Sequence, residues 1–324
     1  MWGQEGFWPV VHPRCKFATT AGYLGPIPVL RMPASPPTLL PACPHTLLSP
    51  HGRLLDLRRP QVMGILNLTP DSFFEGSRIG TEDDLLRRAE TMLQVGAAVL
   101  DLGGYSSRPD AEHISEDEEK RRLLPAVAAV HRAFPEALLS VDTFRAGVAA
   151  EAVAAGAAIL NDISGGQLDA DMLPTAGRLG VPYILMHLRG TPQTMTQHTH
   201  YDGDIVLELV RYFRDKLAVL RQHGVTDVVL DPGFGFAKTP AQSHELLRRL
   251  PELRVLGLPI LAGLSRKSMV YKPLGLTPDA ALTGTVAVNT LALLNGARLL
   301  RVHDVAEAVQ TVQLVSNTFP PFPS

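Results

Sequence analysis

The sequence predicts an α/β protein: a single (β/α)8 barrel of the TIM type over residues 51–324, preceded by a Pro-rich, disordered extension over residues 1–50. Three observations lead there. Short apolar runs rich in Val, Ile and Leu recur eight times after residue 60. A loop and then a helical stretch follow each run. The span from the first run to the end of the chain suits eight β/α units, which take about 250 residues.

The extension comes first in the chain. Residues 1–50 hold ten of the 27 prolines and a single acid, Glu5. They show no helical or strand period, and a run such as PASPPTLLPACPH favours extended backbone and builds no core. Composition therefore predicts a disordered tail, or translation assigned from too early a start. No basic start leads into an apolar stretch, so a secretory signal is not expected.

The eight strand candidates are VMGIL (62–66), AAVLDL (97–102), ALLSV (137–141), AAIL (157–160), PYILM (182–186), DVVL (227–230), PILAGL (259–264) and RLLRV (298–302). Near-continuous apolar strands imply burial on both faces and hence a parallel sheet. Between them, DLLRRAETMLQVG (84–96) and DIVLELVRYFRDKLAVLRQHG (204–224) space apolar residues by three and four and stop at glycine. A doubly wound open sheet is the rival architecture, but no GxGxxG follows the first strand.

A net charge of -2 gives no basic field for nucleic acid. No apolar run reaches the roughly 18–20 residues of a membrane helix. The two cysteines, Cys15 and Cys43, offer no disulfide framework, which fits a reducing cytoplasm.

The strand ends carry the chemistry. The first strand leads into Asn67, the second into Asp101 and the third into Asp142. The fourth leads into Asn161 and Asp162, the fifth into His187 and the sixth into Asp231. Ser265, Arg266 and Lys267 follow the seventh, and Arg301 and His303 lie at the eighth. In a barrel these positions are expected to ring the C-terminal rim, where active sites lie. A single Asp after a strand is often a helix cap. Polar groups at all eight ends need partners, and a polar ligand can supply them. Asp142, Asn161 and Asp231 suit a heterocycle bearing N–H donors. Lys267, Arg301 and His303 suit an anion such as a phosphate. The rim is thus expected to divide into an acceptor half and a cationic half.

Two loops stand out. NLTPDSFFEGSRIGTED (67–83) is long for a βα loop, and Asn67 offers a hard oxygen for a cation. DPGFGFAKT (231–239) sets Phe234 and Phe236 among glycines, as a lid over an aromatic substrate would, or as rings packed against a neighbouring helix.

In order, MGILNLTPDSF, DLGGYSSRP, SVDTF, NDISG, MHLRGTPQTM, LDPGFGFAKT, GLSRKSM and RVHDV resemble the motifs of dihydropteroate synthases. The resemblance runs over residues 53–317. It implies a barrel, usually homodimeric, that joins 6-hydroxymethyl-7,8-dihydropterin diphosphate to 4-aminobenzoate with Mg2+, and that sulfonamides inhibit. It assigns Asp142, Asn161, Asp231 and Lys267 to the pterin, with Arg266 stacked along it. Asn67 is implied as the residue that meets Mg2+ and the diphosphate, with Arg301 and His303 on the leaving group. Ser107 is implied between diphosphate and aminobenzoate, and Phe73, Pro109, Phe236 and Ser268 around the aminobenzoate. Asp142, Asp231 and Lys267 are the implied catalytic residues. A dimer would use the last helices, including residues 279–297.

The chain departs from the family pattern at Tyr105, where Glu or Gln is usual, at Ser107 for Thr, and at Asp110 for Gly. Two other readings share parts of the pattern. A pterin-binding methyltransferase would not need LTPDSF, the SRKS cations or RVHD. A non-catalytic paralogue would be expected to lose Asn67, Arg301 or His303, and all three are present.

Overall fold

The computed structural model describes residues 46–48, 52–68, 82–108 and 111–319. Eight parallel strands close into a barrel in the order β10-β3-β4-β5-β6-β7-β8-β9. They are β3 (Gln61–Asn67), β4 (Val99–Gly103), β5 (Leu138–Asp142), β6 (Ile159–Asp162), β7 (Tyr183–Met186), β8 (Val228–Asp231), β9 (Ile260–Ala262) and β10 (Ala297–Val302). All eight coincide with the apolar runs, and the closed ring excludes the open sheet.

The helices follow from their own sequences. Helix α1 (Glu82–Gln94) opens on Glu82, Asp83 and Asp84, which suit the positive end of the helix dipole. Gly96 then takes a φ of 103°, a left-handed turn that glycine adopts without strain. Helix α2 (Glu116–Ala133) is capped by Ser115, whose side chain accepts from the Glu118 backbone N–H. Next come α3 (Ala146–Ala154), α4 (Met172–Leu179) and α5 (Ile205–Gln222). Helix α6 (Pro240–Arg248) begins with a capping box between Thr239 and Gln242 and a proline in its first turn. That box fixes the end of the loop over residues 231–239. Helices α7 (Ser268–Tyr271), α8 (Leu282–Leu294) and α9 (Val305–Thr318) complete the ring. Among the described residues no helix is long and apolar enough to cross a membrane.

Strands β1 (Thr46–Leu48) and β2 (Leu54–Asp56) form an antiparallel pair ahead of the barrel. Thr46–Leu48 supply the backbone partners of β2. Residues 1–45, the rest of the expected tail, lie outside the described residues. Leu55 and Leu57 are buried with Met63, Val99, Ile159, Ile184, Val229, Leu261 and Leu299. These are inward residues near the strand starts, so this segment closes the N-terminal end. The chemistry is left to the opposite, C-terminal mouth.

Candidate active site

Strand register decides which polar side chains enter the mouth. Ile65 pairs with Asp101 and Asp101 with Ser140. Gly103 pairs with Asp142, and Asp142 with Asn161. Because strand side chains alternate between faces, Asp101, Asp142 and Asn161 all point inward. The same alternation turns Asp162 outward. Its carboxylate accepts from the backbone of Ser164 and Gly166, each at 2.7 Å, and from the Tyr183 hydroxyl at 2.5 Å. Asp162 therefore anchors a loop, which corrects its expected place on the rim.

Arg301 organises the inward set. Its Nε donates to Asp101 Oδ2 at 2.6 Å, and an Nη donates to Asp142 Oδ2 at 2.7 Å. Strand β10 lies three places from β5 in the ring, so the guanidinium reaches across the mouth. The rim therefore does not split into an acceptor half and a cationic half, because the cation of one is paired to the acids of the other. Burial pushes the Asp142 carboxyl up from its ordinary value, and the guanidinium opposes that rise. Burial likewise raises Asp231, opposed by Lys267 and by the Gly233 backbone N–H, which donates to its Oδ1 at 2.8 Å.

Lys267 caps the short helix α7 and sends its ammonium back to the Phe234 carbonyl. It is half-buried but ringed by protein. Lost hydration lowers it to about 8, while Asp231 and Asp142 oppose the fall. The Phe236 ring centroid lies 4.6 Å from its Nζ. Phe234 instead lies in the hydrophobic core, fully buried. Of the two phenylalanines expected as a lid, only Phe236 borders the cleft.

His303 lies beside Ser265. Ser265 Oγ accepts the His303 backbone N–H at 3.2 Å and lies 3.0 Å from Nδ1. Lost hydration together with Arg301 and Arg266 pushes the imidazole down to about 4. Arg266, at a φ of 56°, is held by Asp304 at 2.6 Å and 3.1 Å.

Asn67 ends β3 at the mouth, half-buried. Ser107 lies half-buried in the loop after β4, and Ser268 opens α7. Phe73 and Pro109 lie outside the described residues. No three His, Cys, Asp or Glu side chains gather into a metal cluster among the described residues.

Three arrangements were not visible in the sequence. Asp101, fully buried, also accepts from Asn161 Nδ2 at 3.0 Å through Oδ2, while its Oδ1 has no partner among the described residues. Lys238 lies buried under the loop that follows β8. It donates to the Gly233 and Phe236 carbonyls, each at 3.1 Å, and lies 2.9 Å from His187 Nδ1. Tyr105 accepts from Gln193 Nε2 at 2.7 Å and meets His113 Nδ1 at 3.1 Å.

Comparison with known proteins gives the class to which this barrel belongs. The family model for pterin binding enzymes matches residues 63–303. The chain is 41% identical over 269 residues to a dihydropteroate synthase of Escherichia coli, covering 82% of this chain and 94% of the relative. The structure matches a Yersinia pestis dihydropteroate synthase solved with a sulfonamide drug, with a TM-score of 0.80 and 42% identity over 85% of this chain and 99% of that one. It also matches a Xanthomonas albilineans dihydropteroate synthase solved with 7,8-dihydropteroate, with a TM-score of 0.77 and 37% identity over 86% of this chain and 100% of that one. The chain belongs to the dihydropteroate synthase family, the transferases of folate synthesis.

Proposed function

We propose that the mouth binds 6-hydroxymethyl-7,8-dihydropterin diphosphate and 4-aminobenzoate and joins them into 7,8-dihydropteroate, releasing diphosphate. The observation that carries this reading is the convergence of Asp142, Asn161 and Asp231 with Lys267 and Arg301 at one barrel mouth. Three acceptors side by side suit the N–H edge of a pterin, and donors opposite suit its carbonyl and an anion. The related Xanthomonas albilineans enzyme, solved with dihydropteroate, agrees with it.

The chemistry follows from charge. The bond between the pterin methylene and the diphosphate oxygen breaks, and its electron pair leaves with the diphosphate. Arg301 spends two of its five N–H groups on Asp101 and Asp142, which leaves three for that anion. Lys267, His303 and the Ser107 hydroxyl add donors. The methylene left behind is cationic and conjugated with the ring, and Asp142 and Asp231 lower its energy. The amine nitrogen then forms the new C–N bond and loses one proton to solvent. An aniline attacking a cation needs no strong base, in keeping with a mouth that pairs no nucleophile with a base.

Asn67 offers one amide oxygen at the rim. Mg2+ binds through one or two protein oxygens, substrate phosphates and water, so this donor set fits it. When bound, Mg2+ supplies charge that stabilises the leaving diphosphate. Phe236 and Ser268 border the aminobenzoate in this reading, and Arg266 lies along the pterin. The reading extends to a cytoplasmic homodimer. Exposed Leu291 on α8 and Leu314 on α9 offer apolar surface for a second copy.

The test is diphosphate release by purified protein with Mg2+ and both substrates. Turnover is expected, and Asp142→Ala and Lys267→Ala are expected to abolish it while circular dichroism still reports a folded barrel. No diphosphate from the wild type would overturn the reading.

A further inference from the structure

An asparagine side chain is ambidextrous. Turning its amide over exchanges a donor for an acceptor with almost no change of shape. A site that uses asparagine to recognise one ring edge must therefore hold the amide in one sense. Asn161 Nδ2 donates to Asp101 Oδ2 at 3.0 Å. The same oxygen accepts from Arg301 Nε at 2.6 Å. A carboxylate in a salt bridge to arginine has only acceptors to offer, so it can hold the NH2 end of the amide and never the oxygen end. Asn161 Oδ1 accepts no hydrogen bond from the described residues and is the atom left for a ligand.

We infer that Asp101 is a positioning residue that makes the Asn161 amide a dedicated acceptor, so that the pocket recognises a heterocycle edge made of donors. The inference rests on the pterin-binding part of the reading above. It explains why a carboxylate is buried one layer below the ligand, in the barrel interior, with Oδ1 lacking any partner among the described residues. Such burial costs free energy that a purely apolar layer would not. It also explains why position 161 is an amide. A third carboxylate beside Asp101 and Asp142 would add an acceptor but also a charge that Arg301 already shares between two acids.

The test is an exchange of the two side chains. Binding of 6-hydroxymethylpterin, which lacks the diphosphate, is measured by calorimetry for the wild type, Asp101→Asn, Asn161→Asp and the double variant D101N/N161D. Asp101→Asn releases the amide, and Asn161→Asp sets two carboxylates against each other. Each single change is expected to weaken binding at least about tenfold. In the double variant the amide at 101 donates to the carboxylate at 161, which again turns an acceptor to the ligand. Affinity is expected to return to within about threefold of the wild type.

A double variant that binds no better than Asn161→Asp would overturn the inference, and that comparison holds even if Asp101→Asn fails to fold. An Asp101→Asn protein that folds and binds within threefold of the wild type would overturn it as well. A wild type that binds the pterin but forms no product would sink the reaction proposed above and leave the role of Asp101 standing. A wild type that binds no pterin would sink both.

Discussion

The Lys238 ammonium nitrogen lies 2.9 Å from Nδ1 of His187, and both side chains are buried beneath the loop that follows β8. An ammonium has three N–H groups, and the carbonyls of Gly233 and Phe236 take the other two. Gly233 sits so close to the His187 carbonyl that a Cβ there would overlap it. Lys238 is thus the pin of this turn, and through the Phe236 carbonyl it sets where the Phe236 ring stands.

Lys238→Met is expected to leave the Phe236 carbonyl without a donor and His187 Nδ1 without its partner, while the Gly233 carbonyl keeps the Phe236 N–H at 3.0 Å, and to cost about 1–3 kcal/mol in a urea titration. The KM for 4-aminobenzoate should rise more than kcat falls, because the loop and not the reacting atoms is disturbed. The pH dependence has a definite sign. Burial lowers Lys238 to about 7, while the unfolded chain keeps the proton up to the ordinary lysine value of 10.5. Between those limits the unfolded state binds the extra proton, so wild-type stability should rise with pH. The slope relative to Lys238→Met should approach about 1.4 kcal/mol per pH unit near pH 9. Parallel curves for the two proteins would refute this.

Lys267 sets a second pH limit. Its ammonium is lowered to about 8 and faces Asp231 and Asp142. Since the protonated form is the stronger, charge-assisted donor to a carbonyl or an anion, kcat/KM for the pterin diphosphate should fall as pH rises through about 8. Lys267→Arg carries a charge that does not titrate there. Its alkaline limb should vanish, at a level lowered by the changed geometry. Removing the donor, as in Lys267→Met, should cost about 100-fold or more at pH 7. An unchanged alkaline limb in Lys267→Arg would assign the titration to another group.

Which of these features the sequence makes visible depends on strand register and burial. The eight strands are legible because buried parallel strands leave long apolar runs, and the strand ends mark the mouth. Asn161 and Asp162 are equally polar and adjacent, and only the pleat tells which one faces inward. Phe234 and Phe236 are equally apolar neighbours in one loop, and only the turn geometry tells which enters the core and which borders the cleft. Lys238 reads as a solvated loop lysine until its burial is seen. Arg301 reads as a free cation until its reach across the ring to Asp101 and Asp142 is seen. Local sequence carries element type, but pairing across the barrel is a property of closure.

The hairpin at the N-terminal end gives a truncation test. Deleting residues 1–45 keeps β1 and is expected to change neither turnover nor melting temperature. Deleting residues 1–50 removes β1, the backbone partner of Leu54–Asp56, and loosens the segment whose Leu55 and Leu57 close the barrel. A loss of roughly 1–2 kcal/mol corresponds to a melting temperature lower by about 2–8 °C. Turnover at 25 °C should hold in both, because the active mouth is at the other end. A loss of turnover in the shorter deletion would give the extension a role in the reaction.

Tyr105 stands where the family usually has Glu or Gln, and its surroundings say what it does. Its ring meets Phe144 edge-on at 5.1 Å, and the Arg145 guanidinium lies 5.5 Å from its centroid. Arg145 is in turn anchored by the buried Glu119 and by the Ile114 carbonyl. The hydroxyl joins the loop after β4 to Gln193, in the loop after β7, and to His113, ahead of α2. The hydroxyl therefore ties both ends of the loop after β4 to the loop after β7. Ser107 sits two residues further along that loop. Tyr105→Phe keeps the ring contacts and removes only the ties, which should lower stability by about 1 kcal/mol. The KM for 4-aminobenzoate should rise a few-fold with kcat nearly constant, because Ser107 is less well held while the pterin acids are untouched. A fall in kcat with KM unchanged would mean that the hydroxyl acts on the reacting atoms and not on the loop.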